Sequence, residues 1–316
     1  MLKHLFSGFF LLAALAGPAC AQEVSVLAGQ MKVNEKDDQS FAAALNYLHP
    51  VGDYLAFSAS YLNEGHPQGH HRDGLAAQGW LRLPLAASGV TLSLGGGKYY
   101  YFDTARDDGI HYDNDHGWAN MASASLQWQI DPHWYVQGQV SRLYPDGRDG
   151  TTLLMAGAGY RFDGSGRTPV QLGAARNDTL TLSFVRTIVN SFDSERANGY
   201  ALEYRRALGR YVDASVTALS EGSNRRLDRR GVAAQLWLMR DLTPAVELGM
   251  GAGPYAFRDL PDRRDGQYSH WAGIASIAGR YHFNQSRWTA QLSWNRVISN
   301  YERDADVFML GVGAGF

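Results

Sequence analysis

The sequence predicts an all-β fold of antiparallel strands, and three observations support this. Apolar and polar side chains alternate with a period of two along most of the 316-residue chain. The stretches that separate these alternating segments are short and long in turn. Most segments of the first half recur in the second half at an offset of 153 to 157 residues. We therefore expect a strand-built protein made by internal duplication.

The first 21 residues have the features of a secretory signal. An apolar run from Leu5 to Gly17 is followed by the small-x-small site Ala19-Cys20-Ala21. This run is shorter than the roughly 20 residues that a membrane helix needs, so we expect cleavage after Ala21 and export. Cys20 is the only cysteine. The exported chain would therefore have no disulfide, no cysteine-ligated metal and no thiol nucleophile.

Sixteen strands follow from the alternation. In the segment 288–295, for example, the even-numbered positions are apolar and the odd-numbered ones are polar, so one face is apolar and the other hydrated. The first repeat, 22–162, contains predicted strands at 24–33, 40–48, 54–63, 75–84, 90–102, 118–130, 134–143 and 151–162. A periplasmic linker, 163–179, precedes the second repeat, 180–316, with predicted strands at 180–190, 199–207, 211–220, 231–240, 245–257, 270–283, 287–298 and 306–316.

Loop lengths distinguish between kinds of β-protein. Short turns such as 131–133 alternate with longer polar loops, which we expect at 64–74, 103–117, 221–230 and 258–269. This asymmetry is typical of a transmembrane antiparallel β-barrel. A soluble β-sandwich also alternates, but it requires neither one-sided long loops nor an apolar outer face.

The last strand carries a more specific resemblance. Its outer row runs Phe308, Leu310, Val312, Ala314, Phe316. This pattern resembles the terminal strand of Gram-negative outer-membrane β-barrel proteins, which are porin-like in architecture. The resemblance implies a place in the cell outer membrane, contact with its lipids and lipopolysaccharide, and recognition by the barrel-assembly machinery through the strand that ends at Phe316.

Each repeat has an even number of strands, so one barrel of sixteen strands and two tandem barrels of eight are both compatible with the sequence. We expect one barrel of sixteen, because joining two eight-stranded sheets edge to edge leaves no open edge. This choice also bears on function. Sixteen strands enclose water, whereas eight strands enclose an interior nearly filled by side chains.

Polar side chains on the inward face define the candidate lumen. We expect it to be lined by Gln78, Trp80, Arg82, Glu203, Arg205, Asp213, Gln235, Trp237, Glu247, Arg280 and His282. Trp80 and Trp237 occupy matching repeat positions beside amides, an arrangement on which sugar rings can stack. The leading hypothesis is therefore a channel for small hydrophilic solutes, including saccharides.

Two arginines on the outward face, Arg142 and Arg296, occupy equivalent positions near the long-loop side. A lipid-facing arginine is costly at the bilayer midplane and tolerated near the interface. We therefore expect both at the rim, where lipopolysaccharide phosphates can pair with them.

Chemistry beyond transport has weak support. Near-zero net charge, at −2, argues against a nucleic-acid partner. The His66–Asp73 cluster offers zinc or copper ligands, but its counterpart in the second repeat has no histidine, and the Asp107–Asp115 cluster lacks the spacing of a calcium loop. His116 and His270 lie at or just before the start of the strands that carry Ser123 and Ser276, and a separation of six or seven residues along a strand is too long for a dyad. We expect no cofactor, metal or catalytic site. Two alternatives to the channel are a hydrolase acting on lipid A or phospholipid, and a non-conducting structural or receptor barrel.

Overall fold

A computed structural model describes residues 22–66, 69–85, 89–107, 111–162, 178–191, 194–209, 211–243, 245–260, 268–284, 286–301 and 303–316. The expected signal sequence and most of the expected linker lie outside these ranges. Across the described residues all of the helix and strand assignments are strand. In that same part of the chain, none of the structure amounts to a helix with the length and apolarity to cross a membrane.

Sixteen antiparallel strands follow one another in the two repeats. The first repeat contains β1 (Glu23–Val33), β2 (Gln39–Val51), β3 (Leu55–Asn63), β4 (His70–Leu85), β5 (Val90–Asp107), β6 (His111–Gln129), β7 (Trp134–Pro145) and β8 (Thr151–Arg161). The second contains β9 (Thr179–Val189), β10 (Arg196–Ala207), β11 (Val212–Ser223), β12 (Asp228–Asp241), β13 (Val246–Asp259), β14 (Tyr268–His282), β15 (Trp288–Ile298) and β16 (Ala305–Gly315).

Each repeat closes into a barrel of its own. Strand β1 pairs with β8 from Glu23↔Arg161 to Val33↔Thr151. Strand β9 pairs with β16 in the same manner, so the second repeat is also a closed ring of eight. The prediction of an all-β antiparallel barrel is therefore confirmed. The expected single ring of sixteen is wrong, and the alternative of two tandem eight-stranded barrels is the observed one.

The correction has a physical reason. Two small rings remove free sheet edges as completely as one large ring does. The absence of an open edge therefore does not favour one ring of sixteen over two rings of eight. Closing β1 onto β8 joins strands nearer in sequence than closing β1 onto β16 would, and shorter closure costs less chain entropy. The smaller ring also brings inward side chains within reach of one another across the barrel.

Alternation along the strands separates a buried interior from an exposed apolar exterior. Strand β7 alternates exposed and buried residues along its whole length. On β6, the outward Leu126 and Trp128 are more than half exposed, as is Ile130 just after the strand, while Gln127 is buried. Outward Phe308, Leu310 and Val312 on β16 are also exposed. Each barrel thus presents an apolar outer wall.

The hairpins at the two ends of the strands differ. At one end are tight turns, such as 130–133, where the Asp131 carboxylate accepts hydrogen bonds from the backbone N–H groups of His133 (2.8 Å) and Trp134 (2.7 Å). These donors lower the pKa of Asp131. At the other end, much of the loop expected at 103–117 is strand, because β5 extends to Asp107 and β6 begins at His111.

Close packing of an indole ring against a glycine provides a test of the first barrel. A methyl group added at Gly95 would lie 2.7 Å from the Trp80 ring, whereas one added at Gly96 would meet nothing within 4 Å. We expect Gly95→Ala to lower the free energy of unfolding by about 1–3 kcal/mol through overpacking, and Gly96→Ala to have little effect. Urea unfolding in lipid vesicles measures both, and equal midpoints would contradict this packing.

Candidate functional site

Polar side chains inside the barrels form the candidate site, and they are arranged in layers. In each barrel an ion pair lies at the long-loop end, an apolar layer follows, and an amide and indole layer comes next. A charged network occupies the short-turn end. The two barrels match closely in the first three layers and differ in the fourth.

A buried glutamate and arginine form the layer at the long-loop end of the first barrel. Arg72 donates two hydrogen bonds to Glu64, from Nε to Oε1 (2.7 Å) and from Nη2 to Oε2 (2.8 Å). The Thr151 hydroxyl donates a third hydrogen bond to Glu64. Glu64 is completely buried, so this bidentate pair supplies the partners that a charge removed from water requires.

The second barrel repeats this pair. Arg229 donates from Nε to Glu221 Oε1 (2.5 Å) and from Nη2 to Glu221 Oε2 (2.6 Å), and both side chains are completely buried. Its remaining donor, Nη1, reaches the Tyr301 hydroxyl (3.2 Å). The expectation that 64–74 and 221–230 are solvated loops did not include either pair. The available signal was the Glu-Gly dipeptide that recurs at 64–65 and 221–222, where both glycines have positive φ.

An apolar layer lies beneath each ion pair. In the first barrel it comprises Leu27, Met31, Leu62, Tyr99, Met121, Leu143, Leu153 and Met155. In the second barrel it comprises Val185, Leu219, Tyr255, Phe257, Ile274, Val297, Val307 and Met309. These side chains fill the barrel interiors at this level, and no hydrated path through them is evident in the described part of the chain.

The amide and indole layer contains four of the predicted lumen residues. Gln78 donates to Ser123 Oγ (3.0 Å), and Gln235 donates to Ser276 Oγ (2.8 Å). The indole N–H of Trp80 donates to Ser58 Oγ at 2.8 Å. Trp237 makes the equivalent bond to a serine on β11 at the same distance. The rings therefore point inward, but they are buried and bonded to their own barrel walls.

A charged network occupies the short-turn end of the first barrel. Arg82 donates to Glu23 Oε1 (3.0 Å) and to Gln127 Oε1 (2.9 Å). Arg161 lies 3.1 Å from the same glutamate, which is buried. A cavity of about 20 Å³ between this network and Trp80 holds about one water molecule.

Different residues occupy the short-turn end of the second barrel. Arg205 donates to both oxygens of Glu203 (3.1 and 3.0 Å), and its guanidinium lies 3.8 Å from the centre of the Trp237 ring. Glu247 lies 3.6 Å from Arg280 and 3.2 Å from His282. Asp213 is buried in the same barrel. The predicted lumen residues are thus divided between two interiors and line no common lumen.

The two predicted rim arginines differ from each other. Arg142 is exposed and outward, with its guanidinium 5.3 Å from the centre of the Tyr144 ring. Arg296 is only 1% exposed and donates from Nη1 to Asp306 Oδ2 (2.9 Å). The expectation of an accessible Arg296 was therefore wrong, because a carboxylate stands opposite it on β16.

The loop clusters remain without an assigned ligand. No three histidine, cysteine, aspartate or glutamate side chains among the described residues are grouped so as to hold a metal ion. His66 and His71 pack ring against ring at 4.4 Å, and the Asp73 carboxylate accepts from the Tyr61 hydroxyl (2.8 Å). The serines considered for catalysis, Ser123 and Ser276, are engaged with amides of the interior network.

Comparisons with known proteins identify similar folds. No family model and no curated protein sequence matches the chain. It is similar to the N-terminal β-barrel domain of Pseudomonas aeruginosa OprF (12% identity, TM-score 0.38, 45% of this chain and 100% of that chain). Neisserial surface protein A matches at 12% identity and TM-score 0.38, over 45% of this chain and 96% of that chain.

A third similar structure is Ail of Yersinia pestis, at 16% identity and TM-score 0.33, covering 45% of this chain and 97% of that one. These neighbours are outer-membrane β-barrel proteins. At such identities and TM-scores they add no functional inference to the two closed eight-stranded barrels described above.

The duplicated ion pair generates a stability prediction. Arg72→Met leaves Glu64 buried without its cation, and we expect unfolding free energy to fall by about 3–5 kcal/mol. The double variant Glu64→Leu/Arg72→Met removes both charges and should recover most of that loss. Urea unfolding in lipid vesicles measures the free energies of unfolding of the unaltered protein, the two single variants and the double variant. A double variant as unstable as the sum of its two single variants would contradict the pairing.

Proposed function

We propose that the chain is an integral outer-membrane protein whose two barrels cross the bilayer without a continuous pore, and that it acts as a non-conducting structural or receptor barrel. Its longer loops would face the cell exterior and its tight turns the periplasm, as is usual for such barrels. Lipids and lipopolysaccharide would surround it, and the barrel-assembly machinery would insert it.

The outer wall of each barrel supports the membrane proposal. Exposed aromatic residues stand ten positions apart on single strands, as Trp118 and Trp128 do on β6, Trp134 and Tyr144 on β7, and Trp271 and Tyr281 on β14. Ten residues at about 3.3 Å each, tilted by about 40°, span about 25 Å along the barrel axis. That is the height of the apolar band between the two aromatic girdles of membrane barrels.

The filled interior of each barrel supports the proposal that the protein does not conduct solutes. An ion pair, an apolar layer and a charged network follow one another across each barrel, and their residues are nearly all buried. A hydrated solute would have to break at least the Glu64–Arg72 pair and displace the methionine and leucine side chains beneath it. An interior enclosed by eight strands is nearly filled by these side chains.

The solute-channel hypothesis loses its main support for the same reason. It depended on a sixteen-stranded ring with Trp80 and Trp237 facing a common water-filled lumen. In the folded chain each indole lies in a separate barrel, with its N–H bonded to a serine hydroxyl. Neither ring presents a free face at the wall of a pore wide enough for a sugar.

Planar-bilayer recording tests this proposal. We expect no current steps of nanosiemens size from the purified protein, because both interiors are closed. Insertion must be shown on the same sample, and the change of gel mobility on heating that is characteristic of folded membrane barrels provides that control. Regular nanosiemens steps from inserted protein would contradict the proposal, and failure to insert would contradict the membrane assignment itself.

A further inference from the structure

The outward face of the first barrel carries exposed cations that have no carboxylate partner among the described residues, and two of them lie on nearby strands. Lys98 on β5 and Arg142 on β7 are exposed, and Asn120 on the intervening strand β6 is exposed between them. Across the described residues, no carboxylate lies within ion-pair distance of either cation. Positive charges on a largely apolar wall are costly unless an anion accompanies them.

The three residues lie on consecutive strands of the first barrel. Lys98 Nζ donates to Asn120 Oδ1 at 2.7 Å. Asn120 stands directly opposite Tyr144 in the β6–β7 register, and Arg142 stands opposite Ala122. Because the Arg142 guanidinium packs on the Tyr144 ring, it leans toward the row that contains Lys98 and Asn120. The arrangement is a row of donors across three strands.

These donors retain capacity for a ligand. An ammonium group has three N–H donors and a guanidinium has five. The Lys98 bond to Asn120 uses one, and the contact of Arg142 with Tyr144 is with the ring face. Both side chains are exposed on the outward face, so their remaining donors are accessible. A phosphate group, with several acceptor oxygens and negative charge, satisfies both requirements.

The height of the row agrees with a headgroup position. Arg142 lies eight residues beyond Trp134 of the short-turn girdle, which is about 20 Å along the barrel axis. Asn120 is two residues inside Trp118, and Lys98 is two residues before Tyr100, whose ring packs on Trp118 at 4.8 Å. The row therefore lies at the upper edge of the apolar band, on the long-loop side.

The second barrel lacks this site. The equivalents of Lys98 and Asn120 are Pro254 and Gly273. The equivalent of Arg142 is Arg296, which is neutralised by Asp306. In the first barrel the position facing Arg142 on β8 is Thr152 instead of an aspartate. The duplicated barrels thus share the arginine but differ in the group that neutralises it.

We propose that Lys98, Asn120 and Arg142 bind a phosphate of lipid A, the lipid portion of lipopolysaccharide, on the outward face of the first barrel. This inference rests on the proposed membrane location, which places the long-loop end in the outer leaflet. Tyr144 and Trp118 flank the phosphate site at the level of the lipid headgroup.

Titration of the full-length protein in detergent with phosphorylated lipid A, followed by native mass spectrometry, tests the site. We expect Lys98→Gln/Arg142→Gln to weaken binding by at least about tenfold. Thr152→Asp, which reproduces the aspartate of the second barrel, should weaken it comparably. Arg186→Gln/Arg196→Gln removes two outward cations from the second barrel and should bind as the unaltered protein does.

Lipid A stripped of its phosphates should bind weakly to every variant. Unchanged binding of phosphorylated lipid A to the Lys98/Arg142 variant would overturn the site. If the Lys98/Arg142 variant lost affinity for phosphatidylglycerol and for lipid A by the same factor, lipid A would be overturned as the occupant of the site. Each variant is first shown to insert into bilayers. Failure of insertion by the unaltered protein would overturn the membrane proposal, whereas normal insertion with unchanged lipid binding overturns this inference alone.

Discussion

Hydrogen bonding between the first and last strands of each repeat is the constraint on which the rest of the structure depends. Because β1 closes onto β8 and β9 onto β16, the sixteen strands enclose two small interiors instead of one wide lumen. A small interior brings inward side chains into contact across the barrel. Bidentate ion pairs, methionine side chains and indoles bonded to serines can then fill the interior. A water-filled path does not fit beside them.

After duplication, the interior at the long-loop end of the barrel was preserved and the interior at the short-turn end diverged. The pairs Glu64–Arg72 and Glu221–Arg229 have the same donors and acceptors, since exchanging either partner alone would leave a buried charge. The short-turn ends hold different charged networks, built around Glu23 and Arg82 in the first barrel and around Glu203 and Arg205 in the second. The outward faces diverged as well. Asp306 neutralises Arg296 in the second barrel, whereas Thr152 stands opposite Arg142 in the first.

The strands and their faces were predictable from the sequence, because a period of two assigns each side chain to one face. Trp80 and Trp237 were placed inward on that basis alone. Ring closure was not predictable, since alternation is local and says nothing about which strands pair at the ends of a repeat. Burial of Glu64 and Arg296 was missed for a related reason: each depends on a partner on another strand, at a register that the sequence does not contain.

Engineered disulfides between outward positions test ring closure most directly. In a Cys20→Ser background, the pairs Val26→Cys/Ala158→Cys and Leu182→Cys/Val312→Cys join residues that face each other across β1–β8 and β9–β16. Two closed barrels predict that both pairs form cross-links in the inserted protein. The exchanged pairs, Ala158→Cys/Leu182→Cys and Val26→Cys/Val312→Cys, should remain reduced. Cross-linking of the exchanged pairs in place of the first two would contradict the account and establish one ring of sixteen strands.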